Sequence, residues 1–388
     1  MAELVATYAD ELLAVRRDLH AHPEIAHREV RSTALLLERL TGEGLAPQAL
    51  PGTGLVCDIG DPRGRTVALR ADLDALPLPE TTGLPFTSTV AGISHACGHD
   101  VHTAVVLGAG LVLAELARQG RLPGRVRLIF QPAEEVMPGG ALNVLAGGGL
   151  DGVDRAYALH CDPSAEVGSV GCRPGPITSA CDLVTVRLTG DGGHTSRPHL
   201  TQDLVFGLAQ VITQVPAVLS RRVDPRAGVA LVWGRVSSGA APNAIPGSGE
   251  VSGTLRCLDV GVWASAAALV GDAVREVVAP YGLHAEIEHV RGVPPTVNDP
   301  DAVLLAEEAV EAELGEGHIG LAEQSLGGED FAWILEKVPG AMLRLGTRTP
   351  GGRRFDLHQG DLVVDEGAIA VGVRVLVAIA LRELTHTG

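Results

Sequence analysis

The sequence predicts an α/β fold with a largely parallel sheet, interrupted by an inserted ferredoxin-like (βαββαβ) domain. Three observations lead there. Strand-like apolar runs alternate with helix-like ones through residue 160, the rhythm of a parallel sheet covered by helices. Polar residues gather just past the ends of those runs, where α/β proteins place their sites. From about 179 the order becomes strand, helix, strand, strand, helix, strand, after which α/β character returns. The expected division is a discontinuous domain of 1–178 plus 292–388 and an inserted domain of 179–291.

At 388 residues the chain has room for two domains, each with its own core. Hydrophobic residues make up 46% and charged ones 20%, an ordinary globular balance. The net charge of −17 argues against a nucleic-acid groove, which needs a basic surface. No basic segment followed by an apolar one opens the chain, so no secretory leader is expected. Glu115 interrupts the best apolar run, so no membrane span is expected either. Six cysteines form no CxxC pair, which favours free thiols in a reducing cytoplasm over a disulfide scaffold.

Taken in order, Tyr8, Leu12, Val15 and Leu19 recur at helical spacing, as do Val30, Ala34, Leu37 and Leu40. Between them Pro23 biases His22 away from helix, so His20 and His22 read as turn residues before they read as metal ligands. Short strands are expected at 55–59 and 66–70, the second running into Asp72 and Asp74. Two such carboxylates suit a site at a strand end and equally suit a solvated turn. The run from Thr103 to Leu111 reads as a buried helix, then Arg125 to Phe130 as a strand ending in Gln131-Pro132-Ala133-Glu134-Glu135. A further strand, Ala156 to Leu159, ends in His160. In the inserted domain, strands are expected at 182–188, 229–236, 250–256 and 284–290. Its helices are expected at 202–219, beginning near Thr201, and at 260–278 after the cap residue Asp259. A helix at 301–314 with Pro300 at its start, a strand at 341–345 and a helix at 367–384 close the chain.

The chemistry centres on His95-Ala96-Cys97-Gly98-His99-Asp100-Val101-His102, three imidazoles, a thiol and a carboxylate ahead of the buried helix. If Cys97 to His99 is extended, thiol and imidazole project to one side and can share one ion; the plainer reading is a polar helix start. Adjacent Glu134 and Glu135 would diverge in an extended segment, one toward a metal and the other toward water. A late His358 completes an ordered set of metal-type residues at element ends.

That set resembles the M20 metallopeptidase family, in particular its amidohydrolase branch. The matching motifs are Arg17-Asp18-Leu19-His20-x-His22-Pro23-Glu24, Arg70-Ala71-Asp72-Leu73-Asp74-Ala75-Leu76-Pro77, His95-Ala96-Cys97-Gly98-His99-Asp100 and Gln131-Pro132-Ala133-Glu134-Glu135. Further on they are Gly193-His194-x-x-x-Pro198-His199, Pro242-Asn243-x-Ile245-Pro246, Gly253-Thr254-x-Arg256 and Gly327-Gly328-Glu329-Asp330-Phe331. The resemblance implies a dinuclear-metal catalytic domain with an inserted lid and dimerisation domain. It implies two divalent ions (zinc, manganese or cobalt), bridged by Cys97 and held terminally by His99, Glu135, His160 and His358. Glu134 matches the general base and Asp74 the carboxylate that orients a ligand. Asp72 stands where other branches place a metal-binding histidine. His194 is implied to donate to the oxyanion, usually in the partner subunit's centre. Asn243, Arg256 and Gly328 match substrate-binding positions, and Arg197 and His199 are weaker pocket candidates.

The implied reaction is hydrolysis of a small N-acyl amino acid by a homodimer or dimer-based oligomer. A dipeptidase on the same scaffold is the nearest rival. A metal-independent hydrolase with Cys97 as nucleophile would leave the glutamate pair idle, and a non-catalytic binding protein would have no need of a full ligand set.

Overall fold

The computed structural model describes residues 1–386. These divide into two compact units, Met1–Ile177 with Val297–Glu323 and the described residues from Asp330 on, and Thr178–Thr296 with Gln324–Glu329. The second unit thus takes in the loop that carries Gly328.

The first unit is built on an eight-stranded sheet in the order Gln48–Ala49, Leu55–Gly60, Arg125–Gln131, Thr66–Asp72, Arg155–Glu166, Gly340–Arg348, Val170–Cys172, Ile319–Leu321. Its four central strands, from Arg125–Gln131 to Gly340–Arg348, pair in parallel, are flanked on both sides by antiparallel pairs, and the edge strand Ile319–Leu321 is again parallel to its neighbour. Period-two alternation decides which layer each side chain joins. Val67, Leu69 and Ala71 pack with Leu128, Tyr157 and Leu343 into a core shared with His99–Arg118, Gly367–Thr385 and the N-terminal helices. Ala68, Ile129, Ala158 and Met342 face the other way, onto Ala141–Ala146 and Phe331–Leu335. Being covered on both faces, the parallel strands are apolar almost throughout, as such strands must be.

The second unit has a four-stranded antiparallel sheet in the order Ala230–Ser238, Ser248–Cys257, Ala180–Thr189, His284–Val293. Leu204–Arg222 and Val260–Val278 share its core, through Leu208, Val211 and Val215 on one helix and Val270 and Val274 on the other. Asp259 caps the second helix by accepting from the Val262 amide at 2.8 Å, as expected. The first begins later than expected, because Asp203 accepts from the Phe206 amide and so fixes the start.

Two helices, His99–Arg118 and Leu204–Arg222, are long and apolar enough to cross a bilayer by length and composition. Glu115 therefore does not by itself exclude the first of them on length and composition. The length and apolarity have another cause: the first helix is buried along nearly all its length, and the second buries one stripe against its sheet.

Candidate metal centre

The centre gathers at the carboxyl edge of the parallel strands. Asp72 ends one strand and Asp74 follows two residues later. His160 lies inside its strand rather than past its end, contrary to expectation. The pairing of that strand with Thr66–Asp72 stops at Arg70–Ala158, so His160 nevertheless stands beyond the shared edge.

Cys97 and His99 are brought together by a turn. Gly98 has φ 89°, and His99 is the first residue of its helix, so Cys97–His99 is a turn into a helix start and not an extended segment. Glycine is needed here twice over, for the left-handed φ and because a Cβ would lie 2.7 Å from Cys161 Sγ. His99 Nδ1 donates to the Asp74 carbonyl at 2.9 Å, which leaves the Nε2 lone pair buried and without a hydrogen-bond partner. His160 Nδ1 likewise donates to the Cys161 carbonyl, and its Nε2 lies 3.6 Å from Cys97 Sγ. His358, held at φ 59° with its amide on the Ala96 carbonyl, brings Nε2 within 3.2 Å of Glu135 Oε1.

The ligand atoms of Cys97, His99 and His160 all lie within 4.8 Å of one another, and so do those of Cys97, Glu135 and His358. The thiol stands in both groups. Glu134 joins His99 and Glu135 in a third. The two glutamates are presented by a turn and not by the extended segment in which neighbouring carboxylates would diverge. Ala133 takes φ 55°, and the Asp74 carboxylate then accepts both the Glu134 amide (3.0 Å) and the Glu135 amide (2.9 Å). Alanine in this region costs about 1–2 kcal/mol, so the turn must be held by its surroundings. Asp74 therefore fixes the glutamate pair with its side chain and His99 with its carbonyl.

Asp72 and His102 belong to the support. Arg70 donates to Asp72 at 2.6 Å, and His102 Nδ1 donates to its other oxygen at 2.7 Å. The Cys161 amide donates to His102 Nε2 at 2.8 Å, so both ring nitrogens are occupied and the ring is neutral with its proton on Nδ1. His102 is thus no ligand, although its residue type and position allowed one. His95 is buried and falls in none of the ligand groups. His20, expected as a turn residue, instead lies in the last turn of the helix Ala9–Ala21, buried and bonded to Asp100 and Glu80.

Burial works against charge on Asp72, yet the Arg70 guanidinium and the hydrogen bond from His102 hold it well below the usual carboxylate range. Burial pushes the Cys97 thiol well above its usual value, with His99 opposing. A metal-independent cysteine nucleophile needs the reverse. A thiol, imidazoles with their lone pairs turned inward and two carboxylates form the mixed sulfur, nitrogen and oxygen set that suits zinc and related divalent ions. The residues present fit such a centre.

In the second unit, His194 lies on the two-residue strand Gly193–His194, paired with Ala244–Ile245, so Asn243 is its near neighbour on one ribbon. The Ser196 amide donates to His194 Nδ1 at 3.1 Å, which places the ring proton on Nε2. The Arg197 amide bonds the His194 carbonyl, and His199 is exposed. The Arg256 guanidinium donates to the Leu326 carbonyl, which ties it to the loop that carries Gly328.

Residues 68–382 match the model of peptidase family M20/M25/M40. The chain belongs to this family. It is 52% identical over 381 residues, 97% of its length, to a Rhodococcus jostii protein named putative glutamate–cysteine ligase 2-3, and it spans about half (48%) of that relative. It is 37% identical to the N-acetyl-L-cysteine deacetylase of Bacillus subtilis, covering 94% of this chain and 86% of that one. A solved dinuclear metal-binding M20 peptidase from Bacillus subtilis superposes with a TM-score of 0.86 at 33% identity, covering 98% and 99% of the two chains. Two supporting residues escaped the sequence reading, namely Glu29 and Arg70. Of these only Arg70 lay within a matched motif, and neither carried a metal-type signal beyond its residue type.

Proposed function

We propose that the chain is a dinuclear metal-dependent amidohydrolase that cleaves an N-acyl amino acid to a carboxylate and a free amino acid. The observation that carries this reading is Cys97 standing in two ligand groups at once, with Glu134 beside them. Cys97 would bridge two divalent ions (zinc, manganese or cobalt), with His99 and His160 on one side and Glu135 and His358 on the other. Bound there, such ions would lower the pKa of water and polarise the scissile carbonyl. Glu134 takes the proton of the attacking water and returns it to the leaving nitrogen. Asp74 keeps Glu134 and Glu135 facing their separate tasks. His194, with its proton on Nε2, is the donor for the developing oxyanion, and one such donor is worth about 10²–10³ in rate. Arg256 suits the carboxylate of the amino-acid product, with Asn243 and Gly328 as further substrate contacts. The relatives named as deacetylases support an acylated amine as the substrate.

The strand order of the second unit is that of a ferredoxin-like sandwich, which supports its role as a lid and dimerisation domain. Val232, Thr254, Leu183 and Val290 form a cross-strand row, and its three apolar members are more than half exposed, as a surface awaiting a second copy would be. Six free cysteines fit a reducing, cytoplasmic setting.

The test is hydrolysis of N-acetyl and N-benzoyl amino acids beside plain dipeptides, by chelated enzyme and after metal is restored. Metal-restored cleavage of acyl amino acids is expected. Preference for dipeptides would shift the reading to a dipeptidase, and activity indifferent to chelation would sink it.

A further inference from the structure

We infer that Glu29 is a positioning residue for the Glu134–Glu135 pair: its buried carboxylate holds the left-handed turn at Ala133 from which both glutamates are presented. The kinetic part of the inference rests on the amidohydrolase reading, whereas the geometric part stands without it.

Glu29 is fully buried. Its Oε1 accepts the Ala133 amide at 2.7 Å and the His27 amide at 3.0 Å, and its Oε2 accepts the Thr53 hydroxyl at 2.6 Å. Among the described residues, the non-glycine positions with positive φ are His27, Ala133 and His358. One oxygen therefore holds two of those three strained residues. Strain of this kind persists only where the surroundings over-determine it, and it concentrates at functional sites. Here three successive amides are held by two carboxylates: Ala133 by Glu29, then Glu134 and Glu135 by Asp74. The Ala133 carbonyl accepts from Gly140, which closes the turn. None of the hydrogen bonds of Glu29 reaches a ligand-group atom, so it acts through the backbone.

This arrangement asks for acceptor oxygens at fixed positions and makes no use of charge. Glutamine meets it: its Oε1 accepts both amides, and its Nε2 donates to Thr53 Oγ1, whose hydroxyl turns to suit. Aspartate keeps the charge but withdraws the oxygens by roughly 1.5 Å, one carbon–carbon bond. A role that depended on the charge of Glu29 would reverse this ranking.

The experiment compares metal-loaded wild type, Glu29→Gln, Glu29→Asp and Glu29→Ala. It reads kcat and KM on an N-acetyl amino acid, metal content, and amide exchange of the 132–136 segment. Glu29→Gln should keep kcat within about threefold, and Asp and Ala should lower it about 10²-fold at little-changed KM, the penalty of an ångström-scale misplacement. Metal content should hold in Glu29→Gln and fall in Asp and Ala through Glu135, and exchange at Glu134 and Glu135 should quicken in Asp and Ala alone. An active Asp variant beside an inactive Gln variant would overturn the inference, as would unchanged exchange in the Asp variant. Should Glu29→Ala fail to fold, the Gln and Asp pair decides. Should wild type cleave no acyl amino acid, the proposed function fails and the exchange data alone judge the inference.

Discussion

Two histidines three residues apart on one helix have opposite fates, and hydrogen bonds decide which. His99 gives its Nδ1 proton to a carbonyl and turns a lone pair inward, while His102 spans Asp72 and a backbone amide and has nothing left to offer. Residue type alone could not separate them, because the deciding partners are Asp74 and Cys161, distant in the chain. The same logic governs Asp100 and His20 nearby. Burial disfavours charge on Asp100, but Arg16 and His20 outweigh it and hold the carboxyl far below its usual range. Burial likewise opposes charge on His20, but Asp100 and Glu80 raise its pKa. A depressed carboxyl stabilises the fold above its unfolded pKa of about 3.9 and loses that contribution as pH falls. A raised imidazole contributes fully below about 6.5, and its share is lost as pH rises through the folded value. The network is therefore worth most between about pH 4 and 6.5. Relative to wild type, His20→Gln should flatten the loss of thermal stability above that window, while the acid-side loss remains through Arg16 and Asp100. Parallel melting curves across pH 5–9 would contradict this.

The start of the helix His99–Arg118 is the element on which the centre turns. Gly98 supplies a conformation that other residues resist, in a space that a methyl group cannot enter. We expect Gly98→Ala to cost about 2–4 kcal/mol, combining left-handed strain with overpacking against Cys161. It should also weaken metal binding by displacing Cys97 from His99. Wild-type melting and metal content in this variant would show that the turn is dispensable. Elements of this size were legible where a period, a cap or a proline marked them, as with Val260–Val278 behind Asp259 and Pro300–Leu314 with Pro300 at its start. Strands of two or three residues, such as Gly193–His194 and Ile319–Leu321, carry no period and were missed. The turn at Ala133 is not legible in the sequence, because an alanine gives no sign that Glu29 and Asp74 will hold it left-handed.

At the scale of the whole molecule, the parallel centre of the sheet and the ordered series of metal-type residues were both visible in sequence. The ligands are chemically distinctive, and the fold delivers them to one strand edge. The supporting shell was not visible, since Arg70 meets Asp330 across 260 positions and Glu29 meets Ala133 across 104. The central claim is that one thiol joins two ligand groups drawn from segments between Cys97 and His358. Metal stoichiometry of purified wild type, Glu134→Ala and Cys97→Ala tests it most directly. Two ions per chain are expected in wild type, two in an inactive Glu134→Ala, and loss from both positions in Cys97→Ala. Two tightly held ions in Cys97→Ala would contradict it.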